Sequence, residues 1–176
     1  MTSIEIVSLL DEKFGPKIKG KDLEAIDPFV IIEPENLVEI CTFLRDDPRL
    51  QFDLLNCVTG TDFFEPDKAK AAKFGFDPHL EVVYHLSSFV KKHRFVIKVM
   101  LPRWMGDSAG QLPEVPSIVS LWPAADWHER ETYDMCGIRF IGHPNHRRIL
   151  LADDWEGYPL RKDYVYPLEY HGIRGR

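Results

Sequence analysis

The chain begins with apolar residues at helical spacing. Thr2 or Ser3 is placed to cap a helix whose stripe is Ile4, Val7, Leu9 and Leu10, ending near Gly15-Pro16. Phe29 to Ile32 is short, apolar and β-branched, which predicts a strand. Pro34 then opens a second helix, with Leu37, Ile40, Cys41 and Leu44 on one side and Asp46-Asp47-Pro48 as its stop. Phe52 to Thr59 is predicted as a strand. Leu80–Ser87 and His93–Leu101 are predicted as two more, joined by Ser88–Lys92 as an antiparallel hairpin. Between them, Asp62 to Pro78 is a polar surface excursion with room for a helical turn, and Pro102 to Pro116 is loop. Ser117 to Trp122 begins a short helix, followed by a longer one over Ala124 to Cys136. After Gly137 periodicity fades among prolines and glycines, including Gly172 and Gly175, up to Arg176. Such a segment satisfies few of its own backbone groups, so it wraps over the domain or lies on a partner.

These elements predict an α+β fold: a two-layer domain with one mixed or antiparallel sheet, helices packed on it, and an irregular extended C-terminal segment. The expected division is 1–122 for the α+β domain and 123–176 for a charged helix and a partner-docking tail. With 176 residues, 44% of them hydrophobic, the chain buries enough surface to need no disulfide or metal staple. A net charge of −6 argues against nucleic-acid binding, which draws its affinity from neutralised phosphates. Cys41, Cys57 and Cys136 lie far apart, with no C-x-x-C pair for a zinc ribbon or an iron–sulfur cluster. Neither a signal peptide nor an apolar run long enough to span a bilayer is evident, so membrane contact is expected only through a partner. Glycine-rich nucleotide loops and nucleophile elbows are also absent from the sequence.

The densest chemistry lies in Trp127-His128-Glu129-Arg130-Glu131-Thr132-Tyr133-Asp134-Met135-Cys136-Gly137. On a helical wheel Ala124, Trp127, Glu131 and Met135 share the most apolar face, which predicts that Glu131 is buried and needs a cation. Arg139, Arg147, Arg148 and Arg161 are the candidates. Two readings stand side by side. Glu129, Glu131 or Asp134 serves as general acid or base, or the charges form a structural network at a domain or subunit interface. His128, His143 and His146 offer three imidazoles to a metal, but His143 and His146 flank a proline turn and no further ligand sits at a fixed spacing. Arg147-Arg148 and Arg161-Lys162-Asp163 suit docking onto an acidic surface, or internal bridges to Asp153, Asp154 and Glu156.

Glu129-Arg130-Glu131-x-x-Asp134-Met135, then His143, then Arg147-x-Ile149-Leu150, resembles the signature of the 30 kDa subunit of respiratory complex I, the family of the bacterial C-type subunit. Gly157-Tyr158-Pro159-Leu160-Arg161-Lys162-Asp163 resembles the family's second hallmark. Asp53-Leu54-Leu55, Val58-Thr59-Gly60-x-Asp62 and Trp122-Pro123-x-Ala125-x-Trp127 extend the likeness over about 28–164. Cys136 departs from it, standing where the family places a bulky apolar or aromatic residue. The resemblance implies a peripheral subunit, on the cytoplasmic side of the bacterial inner membrane, of a proton-translocating NADH–quinone oxidoreductase. It implies no catalytic residue and no cofactor on this chain, with FMN, iron–sulfur clusters and quinone held elsewhere in the complex. The implied partners are the 49 kDa subunit and the adjacent iron–sulfur subunit of the peripheral arm. The implied interface and charge network comprise Trp127, Glu129, Arg130, Glu131, Asp134, His143, Arg147, Arg148, Pro159, Arg161, Lys162 and Asp163. Two rivals are an equivalent subunit of a membrane-bound nickel–iron hydrogenase or formate hydrogenlyase, and a free-standing carboxylate enzyme.

Overall fold

Thr2 opens the first helix with a capping box: its side chain accepts from the Glu5 N–H, and the Glu5 carboxylate accepts from the Thr2 N–H. In the computed structural model, which describes residues 1–74, 77–107 and 109–174, this helix is α1 (Ser3–Phe14). It buries Ile6, Val7, Leu10 and Phe14, and leaves Ile4 in solvent. The predicted stripe is thus rotated, because Phe14 and Ile6 extend the face that meets the sheet. The remaining elements are β1 (Ile18–Asp22), β2 (Phe29–Ile32), α2 (Leu37–Asp46), β3 (Leu54–Phe63), α3 (Lys68–Phe74), β4 (His79–Ser88), β5 (His93–Leu101), β6 (Glu114–Pro116), α4 (Ala125–Cys136), β7 (Arg139–Ile141), β8 (Glu169–Tyr170) and β9 (Ile173–Arg174).

The principal sheet runs β1-β2-β5-β4-β3, with β2 parallel to β5 and the other neighbours antiparallel. Alternation sets its two faces. Val30, Ile32, Val58, Leu80, Val82, Tyr84, Leu86, Phe95, Ile97 and Val99 point into one core with the buried residues of α1 and α2. The mixed sheet with packed helices is the expected α+β arrangement. β1 was not predicted: Ile18-Lys-Gly-Lys-Asp is an edge strand whose polar residues meet water. Ser117 to Trp122 forms turns instead of a helix. Leu121 N–H and Trp122 N–H both return to Ile118 O, and Trp122 Nε1 donates to Phe52 O at 3.0 Å. Positions 75–76 of the predicted polar excursion, 108 of the loop, and 175–176 of the tail (Gly175 and Arg176) lie outside the described residues.

The expected boundary at 122/123 falls inside this core, since Ala125, Cys136, Ile138 and Phe140 belong to the same apolar cluster as the sheet. Beyond Ile141 regular structure is confined to the β8–β9 hairpin among the described residues. Among those residues no helix is long and apolar enough to cross a membrane.

Candidate functional site

Helix α4 sits against β3 at the sheet's edge. Its inner line is Ala125, Glu129, Thr132 and Cys136, at steps of three and four residues. A Cβ on Gly60 of β3 would lie 2.8 Å from Thr132 Cγ2 and 3.0 Å from Cys136 Sγ, so the strand's missing side chain sets this close approach. Thr132 Oγ1 and Cys136 Sγ also point their hydrogens at the carbonyls of Val58 and Gly60, each at 3.5 Å. A helix therefore covers part of the edge strand, a common protection against unwanted pairing. The small Cys136 side chain fits this contact.

Small residues, not the most apolar ones, thus choose the inner face. This overturns the wheel that placed Glu131 inside. Trp127 is 68% exposed, Glu131 is exposed, and among the described residues Glu131 makes no ion pair. The carboxylates with buried partners are its neighbours.

Asp134 is fully buried and is the hub of the tail. Its Oδ1 accepts from Arg148 Nη1 at 2.6 Å, and its Oδ2 accepts the consecutive N–H groups of Ile149, Leu150 and Leu151 at 3.0, 2.8 and 2.9 Å. Burial pushes its carboxyl up, but these N–H groups and the guanidinium outweigh that and hold it below the usual range. Arg148 goes on to donate to the carbonyls of Asp134, Trp155 and Gly157. Arg130 donates to the carbonyls of Arg147 and Arg148. The Arg147 side chain itself is exposed.

Arg161 closes the C-terminal end of α4. Gly137, with φ +69°, ends the helix in the left-handed region glycine favours, and its N–H returns to Tyr133 O. The carbonyls of Cys136 and Gly137 that remain accept from Arg161 at 2.8 and 3.1 Å, and Arg161 Nη1 reaches Arg103 O at 2.9 Å. Its guanidinium lies 3.8 Å over the Trp104 ring. Beside it, Arg103 binds Asp62 through two bonds of 2.8 Å and Asp163 at 2.7 Å, while the Lys162 N–H donates to Asp62 at 2.8 Å. Pro159 precedes Leu160, whose N–H donates to Met135 O at 2.9 Å. The Lys162 side chain is exposed.

The arginines thus bind α4 carbonyls, Asp134 and the chain itself. The anticipated carboxylates are not their partners: Asp154 instead holds Tyr170 and His171 of the β8–β9 hairpin, at 2.6 and 2.7 Å. Asp62, Arg103, Trp104 and Ser117 were not expected in the network. Asp62 had a signal, an acid at the inward register of a strand end, opposite Leu80.

Glu129 is also fully buried and accepts from Ser117 Oγ at 2.6 Å and Ile118 N–H at 2.8 Å. Burial pushes its carboxyl up to about 7 against these bonds. The Tyr84 hydroxyl and Cys41 thiol share this interior and are pushed up by burial first and by Glu129 second. A carboxyl raised from 4.5 in the unfolded chain adds stability below that pH and loses it as pH rises through about 7. We expect Glu129→Gln, whose amide oxygen still accepts the Ile118 N–H while its NH2 donates to a rotated Ser117 hydroxyl, to remove a fall of at most about 3 kcal/mol between those pH values. Denaturant unfolding at stepped pH measures it; an unchanged slope refutes it. Asp134, held low, has the opposite sign and loses stability as pH falls.

His143 and His146 are bonded within the fold. His143 Nε2 lies 3.0 Å from Asp126 O and its Nδ1 accepts the Asn145 N–H, while His146 Nε2 accepts the Phe140 N–H at 3.0 Å. No group of three or more His, Cys, Asp or Glu among the described residues is placed to hold a metal. Glu129 and Asp134 are sealed from water with their acceptors occupied, so neither is presented to a substrate from solvent.

The family model for the respiratory-chain NADH dehydrogenase 30 kDa subunit matches residues 30–170. This chain belongs to that family. The C-type subunit of the NADH-quinone oxidoreductase of Chloroherpeton thalassium is 40% identical over 168 residues, which are 94% of this chain and 62% of that protein. Its counterpart in Roseiflexus castenholzii is 45% identical over 137 residues, covering 78% and 69%. The counterpart in Chlorobium phaeobacteroides is 39% identical over 164 residues, covering 93% and 89%. The chain therefore spans between 62% and 89% of the length of these relatives. A chain of the membrane-bound sulfane sulfur reductase, an archaeal respiratory membrane complex, shares the fold with a TM-score of 0.69, at 23% identity over 94% of this chain and 86% of that one. The 30 kDa family match runs through α4 and the whole Arg148-to-Asp163 clasp.

Proposed function

We propose that this 30 kDa family member is a cofactor-free structural subunit of the peripheral arm of a proton-translocating NADH–quinone oxidoreductase. It sits on the cytoplasmic side of the bacterial inner membrane. The outer surface of its clasped tail receives the 49 kDa subunit, next to the iron–sulfur subunit of the arm. Electrons pass from NADH through FMN and iron–sulfur clusters to quinone in other subunits. One observation carries this reading: the tail is tied down by buried polar bonds yet turns its apolar side chains outward. Leu150, Leu160, Val165, Tyr166, Leu168 and Ile173 are all exposed, Val165 by 84%. So many large apolar side chains left in solvent on an ordered segment support an interaction surface. Trp127 and Glu131 are exposed on the outer face of α4 as well. The named relatives favour the quinone-reducing enzyme over the hydrogenase alternatives.

The test is Leu150→Asp combined with Leu168→Asp in the native host. Both residues are exposed, so the isolated chain should unfold within about 0.5 kcal/mol of the unsubstituted one. Assembled complex in membranes should fall severalfold. Normal amounts of full-sized complex would overturn the docking assignment. Normal assembly with lost turnover would instead give these positions a part in the chemistry.

A further inference from the structure

The end of the sheet remote from the clasp carries a second group of unpartnered features. β3 and β4 are ten residues each, so their two ends lie roughly 30 Å apart. The clasp is at the Asp62 end. At the other end, Phe89 to Lys92 join β4 to β5. This tip is held firmly: Lys92 N–H donates to Ser88 O at 2.9 Å, Lys91 N–H to Ser88 Oγ at 3.0 Å, and Phe89 N–H to Asp53 Oδ1 at 2.9 Å. The side chains it carries contribute nothing to the core. Phe89 is 75% exposed and Val90 is exposed too. Nearby, on the loop leading into β2, Ile26 is 97% exposed.

Two hollows flank the tip. One, of about 380 Å³, is bounded by Ile26, Asp27, His85 and Arg94; the other, of about 560 Å³, by Leu54, Phe89, Lys92 and Arg94. Asn56 and Ser87 line both, so they form one continuous relief. Asp53 also stands at the tip with its Oδ1 on the Phe89 N–H, but the turn itself carries two cations on a chain whose net charge is −6. Lys91 and Lys92 are exposed, and among the described residues neither makes an ion pair. Arg94 lies 3.6 Å from Asp27.

We propose that this tip is a second docking surface, and that its partner is another protein subunit offering an apolar hollow rimmed by carboxylates. Phe89 and Val90 fill the hollow, and Lys91 and Lys92 meet the acidic rim. A tip with so few apolar residues holds weakly alone. It suffices within an assembly, because a chain already fixed elsewhere meets its second site at high effective concentration. The surface lies outside the clasp, so it does not rest on which subunit the tail receives.

A photo-crosslinking benzoylphenylalanine at Val90, introduced into the intact membrane complex, tests the assignment. The expected adduct is with another polypeptide of the same purified complex, on a peptide carrying Asp or Glu beside apolar residues. Lys91→Glu with Lys92→Glu should lower its yield roughly tenfold. Melting of the isolated chain carrying the same two substitutions, unchanged from the unsubstituted chain, separates loss of docking from loss of fold. An adduct with lipid alone, adducts only within this chain, or a yield indifferent to charge reversal would each overturn the proposal. Tail substitutions at Leu150 and Leu168 act on complex abundance, so failure of one surface is read independently of the other.

Discussion

Asp134→Ala is expected to be the most damaging single substitution in this chain, costing about 3–5 kcal/mol. The carboxylate is fully buried between one guanidinium and three consecutive N–H groups. Truncating it leaves the three N–H groups without their acceptor and Arg148 with carbonyls alone. Each buried donor without an acceptor costs on the order of 1–3 kcal/mol, and Arg148 keeps an uncompensated charge. Part of that cost is relieved when residues 147–157 lift off α4. The prediction therefore has two readouts: a lower unfolding midpoint, and new proteolytic cleavage confined to 147–157 of the isolated chain. Asp134→Asn keeps the shape but replaces one acceptor by a donor facing Arg148 or the N–H groups, so it should recover little. A variant with native stability and no new cleavage would show that the tail is held by something other than Asp134.

The second large effect is expected at Gly60. In Gly60→Ala the new Cβ stands 2.8 Å from Thr132 Cγ2, 3.0 Å from Cys136 Sγ and 3.2 Å from Cys136 Cβ. Neither contact is the free end of a long side chain, so α4 must shift away from β3. Overpacking of this kind costs about 1–3 kcal/mol. Thr132→Ser removes the nearest methyl and keeps the hydroxyl that faces Val58 O. The double variant should be more stable than the sum of the single changes predicts, by about 1 kcal/mol, as measured in a four-protein denaturant cycle. Additive effects would mean that the helix–strand spacing is set elsewhere.

The sheet and first helices were legible because their side chains sort by water. β2 and the β4–β5 hairpin follow periodicity within a residue or two of prediction, while Pro34 opens a 3-10 turn and α2 itself starts three residues later at Leu37. β1 was invisible because an edge strand next to solvent needs few apolar residues. Trp122 and Ile118 imitate helical spacing, yet each is buried from a turn. Helix α4 was located correctly but rotated. A wheel weighs apolarity, whereas Gly60 demands small residues, and Thr132 and Cys136 meet that demand better than Trp127 or Met135. The clasp was foreseen as a charge network around α4, but its partners were not. Arg130 and Arg161 bind backbone carbonyls, and Arg148 binds three carbonyls besides the Asp134 carboxylate; a carbonyl carries no mark in a sequence. Arg103 and Asp62 meet across 41 positions of chain, a separation no local spacing reveals.

The Asp134 cradle has a consequence for how the tail changes over time. The carboxylate grips the N–H groups of Ile149, Leu150 and Leu151 and ignores their side chains. Any residue except proline supplies the same grip. The anchor and the outward surface are therefore decoupled. The chain is free to recut the shape and polarity it shows a neighbour, one exposed position at a time, and to follow that neighbour's own substitutions, while the bonds that hold the segment in place stay as they are.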